Sequence, residues 1–276
     1  MDVHVLSSGS HGNCTVIRRD DEAIMVDDGL SGRMTQRMLD YEGIDGKEIK
    51  AILLTHEHHD HAQGAGVTAR KLGVPIYSTV GTFMNFDHGD GVDFHPFSIS
   101  GSFPLCGMEI APLPTNHDAA EPCAFRISEG DRSILYVTDT GKLSFPIEAA
   151  LADADLAIIE ANYDAEMLRD GFYPEATKRR IASSNGHMSN VQTASAIKRT
   201  AGRKDRRIFL AHLSENNNTP DGARQAVSDI TGISRFRIDC LEFRHTRDRP
   251  GDTRHLTVRG RRHSACRSVP GFTSSI

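Results

Sequence analysis

The sequence predicts an α/β fold of the αββα type, in which two mixed β-sheets pack face to face between outer helices. Short β-branched, apolar runs recur through the first 240 or so residues, and glycine turns separate them from amphipathic segments that carry helix caps. Strands come first in runs and later alternate with helices, which is the order that two sandwiched mixed sheets produce. The 276 residues are enough to bury a core of this size.

The elements can be assigned in chain order from their patterns. A strand at 23–26 is followed by Ser31, which caps a helix that Gly43 ends. Residues 49–55 form a buried strand that leads into a histidine-rich segment, and a helix is expected over 62–72. Further strands are predicted at 76–79, 108–113, 123–127, 133–137, 156–159 and 207–210, and further helices at 143–152, 174–183, 191–200 and 220–230.

Composition is that of an ordinary water-exposed protein, with 38% hydrophobic and 25% charged residues. No segment approaches the ~20 apolar residues that a membrane helix needs, and the first residues contain neither a basic leader nor an apolar run. The five cysteines form no Cys-x-x-Cys pair, so neither a disulfide framework nor a zinc ribbon is indicated. We therefore expect a cytoplasmic protein without membrane contact.

Charge divides the chain into two parts. Residues 244–276 contain eight arginines, no lysine and two aspartates, which gives them a net charge of +6. Because the whole chain has a net charge of −5, residues 1–243 have a net charge of −11. The predicted domains are therefore a body at 1–243 and an arginine-rich C-terminal extension at 244–276, poorly ordered or loosely docked. The acidic body does not suggest a nucleic-acid surface, whereas the basic extension is a candidate for one.

Histidine is the residue that points to chemistry, because the chain has 14 of them and several cluster behind the strand at 49–55. His56 and His58 are two residues apart where the strand ends, so their side chains can share one metal ion. Asp60 and His61 open the next helix and can reach a second ion beside the first. Imidazole and carboxylate ligands suit Zn²⁺, Mn²⁺ or Fe²⁺. The alternative is a solvated loop in which Asp60 only caps the helix.

Candidate ligands also follow other predicted strands. His117, Asp139 and His212 each stand directly behind an apolar run, where the strand opens into a loop. Any one alone is more typical of a surface or hydrogen-bonded residue, but three at strand ends together indicate further metal ligands. Glu160 ends another strand, and 214–218 precedes a capped helix; ordinary hydrogen bonding and capping are the interpretations favoured for these two.

Two further segments are candidates for substrate contact. His187 lies in a turn before a helix that Ser189 caps, where it can contact a phosphate or protonate a leaving oxygen; an ordinary capping-turn histidine is the alternative. The glycine- and serine-rich loop at 8–13 can cradle a phosphate through its amides, with Ser10 and Asn13 as substrate-binding residues. A plain hairpin turn explains that loop equally well.

The order HxHxDH, His, Asp, His resembles the metallo-β-lactamase superfold, and the flanking sequences are similar to the bacterial YycJ/WalJ family of metal-dependent DNA exonucleases. The resemblance covers residues 1 to about 240 and does not include the arginine-rich extension. The motifs that carry it are SSGSHGNC at 7–14, VDDGLS at 26–31, THEH at 55–58, NHDAAEP at 116–122, VTDTG at 137–141, GHMSN at 186–190 and AHLS at 211–214.

The resemblance implies two divalent metal ions and DNA as the substrate, and the catalytic residues that we expect are Asp60, a ligand, and His187, the candidate acid. The implied arrangement has His56, His58 and His117 on one ion, Asp60, His61 and His212 on the other, Asp139 bridging both, and Asp27 orienting a ligand histidine. From the residues alone, Asp27 is equally a turn residue. The ligand roles, without that of Asp27, also agree with two-metal chemistry, in which paired cations activate water and clamp the attacking and leaving oxygens.

The implied activity is phosphodiester hydrolysis in DNA, with an exonuclease expected. Other hydrolases with this ligand set remain alternatives: RNA or cyclic phosphodiesterases, thioester hydrolases, lactonases and true β-lactamases. A secreted lactamase is disfavoured because no leader precedes the chain and no cysteine stands at a ligand position. A binding protein that has lost catalysis would show a broken ligand position, and none is broken.

Overall fold

The structure, a computed structural model, describes residues 1–201 and 206–241, so the predicted boundary at 243 and the extension lie outside the described residues. Two sheets run through the described ranges. Their strands are β1 (Asp2–Ser7), β2 (Cys14–Arg19), β3 (Glu22–Val26), β4 (Ile49–Leu53), β5 (Ile76–Ser78), β6 (Phe94–Pro96), β7 (Phe103–Leu105), β8 (Met108–Pro114), β9 (Cys123–Glu129), β10 (Arg132–Val137), β11 (Leu156–Glu160), β12 (Arg207–Ala211) and β13 (Ile238–Cys240).

Both sheets are mixed. The first has the order β1-β2-β3-β4-β5-β6 and the second the order β13-β12-β11-β10-β9-β8-β7. In the first sheet β1, β2 and β3 pair antiparallel, and β3 to β6 are parallel. In the second, β7 to β10 pair antiparallel and β10 to β13 are parallel. Each sheet therefore ends in a parallel block whose carboxyl ends share one edge.

The helices are α1 (Gly32–Glu42), α2 (His59–Ala62), α3 (Ala65–Leu72), α4 (Val80–Phe83), α5 (Phe145–Asp153), α6 (Ala165–Asp170), α7 (Glu175–Ile181), α8 (Asn190–Arg199) and α9 (Pro220–Thr231). Of these, α1 and α3 cover the outer face of the first sheet, and α5, α8 and α9 cover that of the second. The predicted caps are confirmed: Ser31 accepts from the Met34 amide, and Ser189 forms a capping box. No helix in the described ranges is long and apolar enough to cross a membrane.

Alternation of side chains along the strands divides the interior into three apolar layers. Ile24 and Leu53 point into the layer between the sheets, while their neighbours Met25 and Ile52 point into the layer under α1 and α3. The third layer lies between the second sheet and helices α5, α8 and α9. This is the arrangement expected of an αββα sandwich, so the predicted fold is confirmed.

Two features differ from the sequence-based expectations. The helix expected over 62–72 is broken into α2 and α3 at Gly64, because the chain there presses against the preceding turn: a methyl group on Gly64 would lie 2.2 Å from the Leu30 carbonyl oxygen. Strands β1, β2, β6, β7 and β13 and helices α4 and α6 were not predicted. β1 and β2 pair antiparallel, so the loop at 8–13 is the connection of a hairpin.

Candidate active site

The sequence-predicted ligands converge because the parallel strands end at the same edge of the sandwich. His56 follows β4 in the first sheet, and Asp139 and His212 follow β10 and β12 in the second. β8 runs in the direction of β10, since both pair antiparallel with β9. His117, which follows β8, therefore emerges at the same edge. Strand direction alone thus collects side chains that lie up to 156 residues apart in the sequence.

Three acidic or histidine residues at this edge adopt the left-handed backbone conformation. The φ angles are 59° for Asp27, 51° for Asp139 and 54° for His212, each within two residues of the end of a strand. Non-glycine residues pay for this conformation with local strain, which the surrounding fold must offset. The turns bring the side chains of Asp139 and His212 into the cluster and the Asp27 carboxylate to Nδ1 of His61 behind it.

The first donor group consists of His56, His58 and His117, each with a ring nitrogen within 4.8 Å of the others. Nδ1 of His58 lies 3.2 Å from Nε2 of His117. Nε2 of His56 is buried and has no hydrogen-bond partner. A buried nitrogen without a partner is costly in a folded protein unless a cation satisfies it. The group therefore fits a bound metal ion.

The second donor group consists of Asp60, His61 and His212. Oδ2 of Asp60 lies 3.2 Å from Nε2 of His212 and 3.6 Å from Nε2 of His61. Asp139 stands between the two groups: its carboxylate oxygens lie 2.9 Å from His61 Nε2 and 3.8 Å from His117 Nε2. All seven sequence-predicted ligands are thus brought together, with one carboxylate in reach of both groups.

Asp27 supports two of these histidines from beneath. The His61 Nδ1–H donates to Asp27 Oδ2 at 2.8 Å. The Thr55 hydroxyl donates to the same carboxylate at 3.0 Å and accepts from His56 Nδ1 at 3.0 Å. The side chains of Asp27 and Thr55 are both buried. These bonds fix the orientation of each ring and leave the opposite nitrogen, Nε2, directed at the cluster.

Glu160 performs the same task on the opposite side of the site. Its carboxylate, fully buried at the end of β11, accepts from His187 Nδ1 at 2.7 Å and from His212 Nδ1 at 3.2 Å. The backbone amides of Thr140 and Met188 also donate to it, at 3.0 and 3.1 Å. Four donors on one buried carboxylate hold His187 beside the donor groups, with its ring 5.4 Å from that of His212.

The electrostatics of the cluster favour a bound cation. Burial lowers the pKa of His61, but the carboxylates of Asp139, Asp27 and Asp60 outweigh it and hold that pKa well above its usual value. His212 is affected in the same way, with a pKa of about 10. Burial, reinforced by the neighbouring His61, instead lowers the pKa of His56 well below normal. Without metal, protons on His61 and His212 therefore supply the positive charge that the carboxylates attract.

Gly29 explains why α2 can place two of the predicted ligands here. A methyl group added to Gly29 would lie 1.7 Å from the Asp60 carbonyl oxygen and 2.8 Å from the His61 amide nitrogen. Only a residue without a side chain lets the turn behind β3 pass so close to the backbone of α2. This contact sets the depth at which Asp60 and His61 enter the cluster.

The loop at 8–13 presents its two predicted substrate-binding residues differently. Ser10 is exposed, whereas Asn13 is fully buried. The Asn13 amide donates to the Gly9 and Asp60 carbonyl oxygens at 3.1 and 3.3 Å, and lies 3.0 Å from His61 Nε2. These contacts hold the loop against α2. Substrate contact by Ser10 and Asn13 stays a prediction.

Sequence reasoning undervalued two residues of the site. Glu160 was assigned to ordinary hydrogen bonding, and Thr55 was given no role beside the histidines that follow it. A signal for Glu160 exists: it is a charged residue closing a strand, LAIIE, that is buried throughout, and a buried carboxylate needs positively charged or donor partners. Thr55 shows no such signal, because threonine is common at strand ends.

Comparison with known proteins agrees with this geometry. The beta-lactamase superfamily domain matches residues 23–213. The chain is 36% identical to the exodeoxyribonuclease YycJ of Bacillus anthracis, over 85% of this chain and 90% of that protein. It is 35% identical to the exodeoxyribonuclease WalJ of Streptococcus pneumoniae, over 81% and 85% respectively.

The fold has a solved counterpart in the metallo-beta-lactamase fold protein YhfI of Bacillus subtilis. The two structures align with a TM-score of 0.68 at 19% identity, over 88% of this chain and 96% of YhfI. At that identity the likeness shows the fold, and the relatives at 35–36% identity show the family. The chain is therefore an enzyme of the beta-lactamase superfamily and belongs, within it, to the family of YycJ and WalJ.

Proposed function

We propose that the protein hydrolyses phosphodiester bonds in DNA as an exonuclease that uses two divalent metal ions. The observation that carries the proposal is the pair of donor groups facing each other across Asp139, with His187 held at their side. One ion is assigned to His56, His58 and His117, and the other to Asp60, His61 and His212, with Asp139 shared. DNA as the substrate is supported by the relatives, which are named exodeoxyribonucleases.

The residues present fit divalent metals. The buried Nε2 of His56, which has no hydrogen-bond partner, lies in the cluster, and imidazole with carboxylate oxygen suits Zn²⁺, Mn²⁺ or Fe²⁺. Two such ions would activate a water for attack on phosphorus and neutralise charge on the phosphate. Asp27, Thr55 and Glu160 keep the ligand rings in place, so the donors are organised before the substrate arrives.

His187 is proposed as the acid that protonates the departing sugar oxygen. Burial lowers its pKa, but Glu160, 2.7 Å from Nδ1, outweighs burial and raises it above the usual value. The Glu160 carboxylate therefore favours the imidazolium form of His187, which is the form that can donate a proton. Because Nδ1 is occupied by Glu160, Nε2 is the nitrogen left to donate a proton. Such an acid contributes roughly 10²–10⁴-fold when the leaving group is a poor one.

The substrate class can be tested with the purified, Mn²⁺- or Zn²⁺-loaded protein. We expect end-labelled single- or double-stranded DNA to be degraded from its ends, while a lactone and a chromogenic lactam are left intact. RNA is tested alongside DNA to measure whether the enzyme prefers deoxyribose or ribose in its substrate. Hydrolysis of the lactone or lactam without DNA cleavage would contradict the proposal. We also propose a cytoplasmic location for the enzyme, which cell fractionation would check.

The role of His187 can be tested with two substrates. His187→Ala should cut kcat on DNA by roughly 10²-fold or more, yet cleave a nitrophenyl phosphodiester almost normally, because nitrophenolate leaves without protonation. His95→Ala, at an exposed histidine on β6, is the matched control and should change neither rate. Equal losses on both substrates would assign His187 to phosphate binding or loop structure. No loss on either would make it an ordinary capping-turn residue.

A further inference from the structure

Each donor group of the active site takes its ligands from both sheets of the sandwich. In the second group, Asp60 and His61 lie behind β4 of the first sheet, whereas His212 follows β12 of the second. The separation of these ligands therefore depends on how the two sheets are held at this edge. Because a metal ion needs its ligand atoms at a defined spacing, a contact that ties the two segments together would govern how tightly the second ion is bound.

The loop at 8–13, which connects β1 to β2, makes this contact. At its first residue, the Ser8 hydroxyl oxygen accepts from the backbone amide of His212 at 3.0 Å. At its last residue, the backbone amide of Asn13 donates to the Asp60 carbonyl oxygen at 2.8 Å, and the Asn13 side chain donates to the same oxygen at 3.3 Å. One loop thus holds both ligand-bearing segments of the second group, although Asp60 and His212 lie 152 residues apart in the sequence.

The bond to Ser8 matters because His212 is buried in the left-handed conformation, with φ at 54°. Two side chains satisfy the polar backbone groups of this residue: Ser8 accepts from its amide, and Asn162 Nδ2 donates to its carbonyl oxygen at 2.9 Å. Asn162 lies behind β11 in the same sheet as His212, so only Ser8 comes from the other sheet. Removal of the Ser8 hydroxyl would leave a buried amide unpaired and release the residue that carries the ligand ring.

The loop is closed by its own hydrogen bonds, so a displacement at one end is passed to the other. The Gly9 amide donates to Asn13 Oδ1 at 2.9 Å, and Asn13 Nδ2 donates to the Gly9 carbonyl oxygen at 3.1 Å. The Gly12 amide donates to the same carbonyl oxygen at 3.0 Å. A methyl group on Gly12 would lie 2.8 Å from the Gly29 carbonyl oxygen. The loop therefore presses on the same turn that sets the depth of α2.

The first donor group is joined across the sheets by a different contact. His56 and His58 lie behind β4 of the first sheet, and His117 lies behind β8 of the second. Between these segments, Oε1 of Glu57 accepts from the Ala120 amide at 2.6 Å. This bond ties the two segments of the first group together without the loop at 8–13. The two groups are thus braced separately, although both reach Asp139.

We propose that Ser8 is a positioning residue for the second metal ion, and that the loop at 8–13 sets the affinity of that ion without setting the affinity of the first. The inference rests on the two-metal site of the proposed function, but it does not depend on DNA as the substrate. It gives the loop a task that neither a phosphate cradle nor a plain hairpin turn includes, which is to hold His212 at the correct distance from Asp60 and His61.

Metal binding tests the proposal without any turnover. Metal-free protein is titrated with Zn²⁺ against a coloured competing chelator in two backgrounds. In His58→Ala, which lacks a ligand of the first site, Ser8→Ala should weaken the remaining second site by about 10–100-fold. In Asp60→Ala, which lacks a ligand of the second site, Ser8→Ala should leave the affinity of the first site unchanged. Ser8→Thr keeps a hydroxyl at this position and should restore the affinity of the second site.

Ser133→Ala is the matched control, because Ser133 is also buried and its hydroxyl donates to the Asp153 carbonyl oxygen, near the amino end of β10 and away from the site. Circular dichroism checks folding, and Ser8→Cys, whose thiol is a weaker acceptor, replaces Ser8→Ala if that variant does not fold. Affinities that match those of Ser133→Ala, or an equal loss in both backgrounds, would overturn the assignment of Ser8 to the second ion. A wild-type chain that binds fewer than two ions would instead overturn the proposed function, and the inference with it.

Discussion

Substitution of Gly29 by alanine tests whether the spacing between β3 and α2 sets the active site. The new methyl group would stand 1.7 Å from the Asp60 carbonyl oxygen, whereas contacts below 3.0 Å are essentially never seen at a Cβ atom. The backbone of Asp60 must therefore retreat by more than 1 Å. A displacement of that size at a catalytic group costs about 10²-fold in rate, and overpacking costs about 1–3 kcal/mol of stability.

The assay combines turnover, metal content and thermal denaturation. We expect Gly29→Ala to lose about 100-fold in kcat on DNA and to hold less metal at the site that Asp60 and His61 form. Gly101→Ala is the matched control, because its nearest neighbouring atom is 3.9 Å away. Near-normal turnover and full metal content in Gly29→Ala would refute the argument that this glycine positions the ligands.

Three further predictions follow from single features of the chain. Glu160→Gln removes the charge that raises the pKa of His187, so the fall of kcat for DNA at high pH should begin at a lower pH. The pH profile for the nitrophenyl ester should not change. An unchanged profile for DNA would show that His187, held by Glu160, is not the acid. Burial raises the pKa of the Asp28 carboxyl from its ordinary value of 3.8 to about 6. The folded state thus binds the proton more tightly, and about 3 kcal/mol of stability should disappear as pH rises from about 4 to 6. Denaturant unfolding in chelator should show this loss for the wild type and not for Asp28→Asn, and equal pH profiles would contradict it. Deleting residues 244–276 should raise KM for DNA and flatten its salt dependence without changing turnover at saturation; an unchanged salt slope would show that the extension takes no part in binding.

The sequence was sufficient for the fold class and for bringing the proposed ligands together, and the reason is physical. An apolar run that ends in His, Asp or Glu predicts a buried strand with a polar residue at its carboxyl end. Parallel strands place their carboxyl ends at one edge of the sheet. His56, Asp139 and His212 were found in this way. The motif resemblance then supplied the pairing of ligands, which spacing alone does not determine.

The features that escaped prediction depend on tertiary contacts. The break at Gly64 comes from the approach of the Leu30 carbonyl, which a helical pattern cannot register. The roles of Glu160 and Thr55 arise only when β11 and β4 place them behind His187 and His56. β6, β7 and β13 are three residues long, which leaves little alternation to read, although the equally short β5 was predicted.

The central claim is that two metal ions in one shared cluster perform the hydrolysis of DNA, and a metal titration tests it most directly. Metal-free protein would receive increasing Mn²⁺ or Zn²⁺ while bound metal and exonuclease rate are measured on the same samples. The account predicts a rate that rises until two ions are bound per chain, and folded Asp60→Ala and His58→Ala variants that bind fewer ions and do not turn over. Full activity in chelator, with a single ion, or in either variant would contradict it.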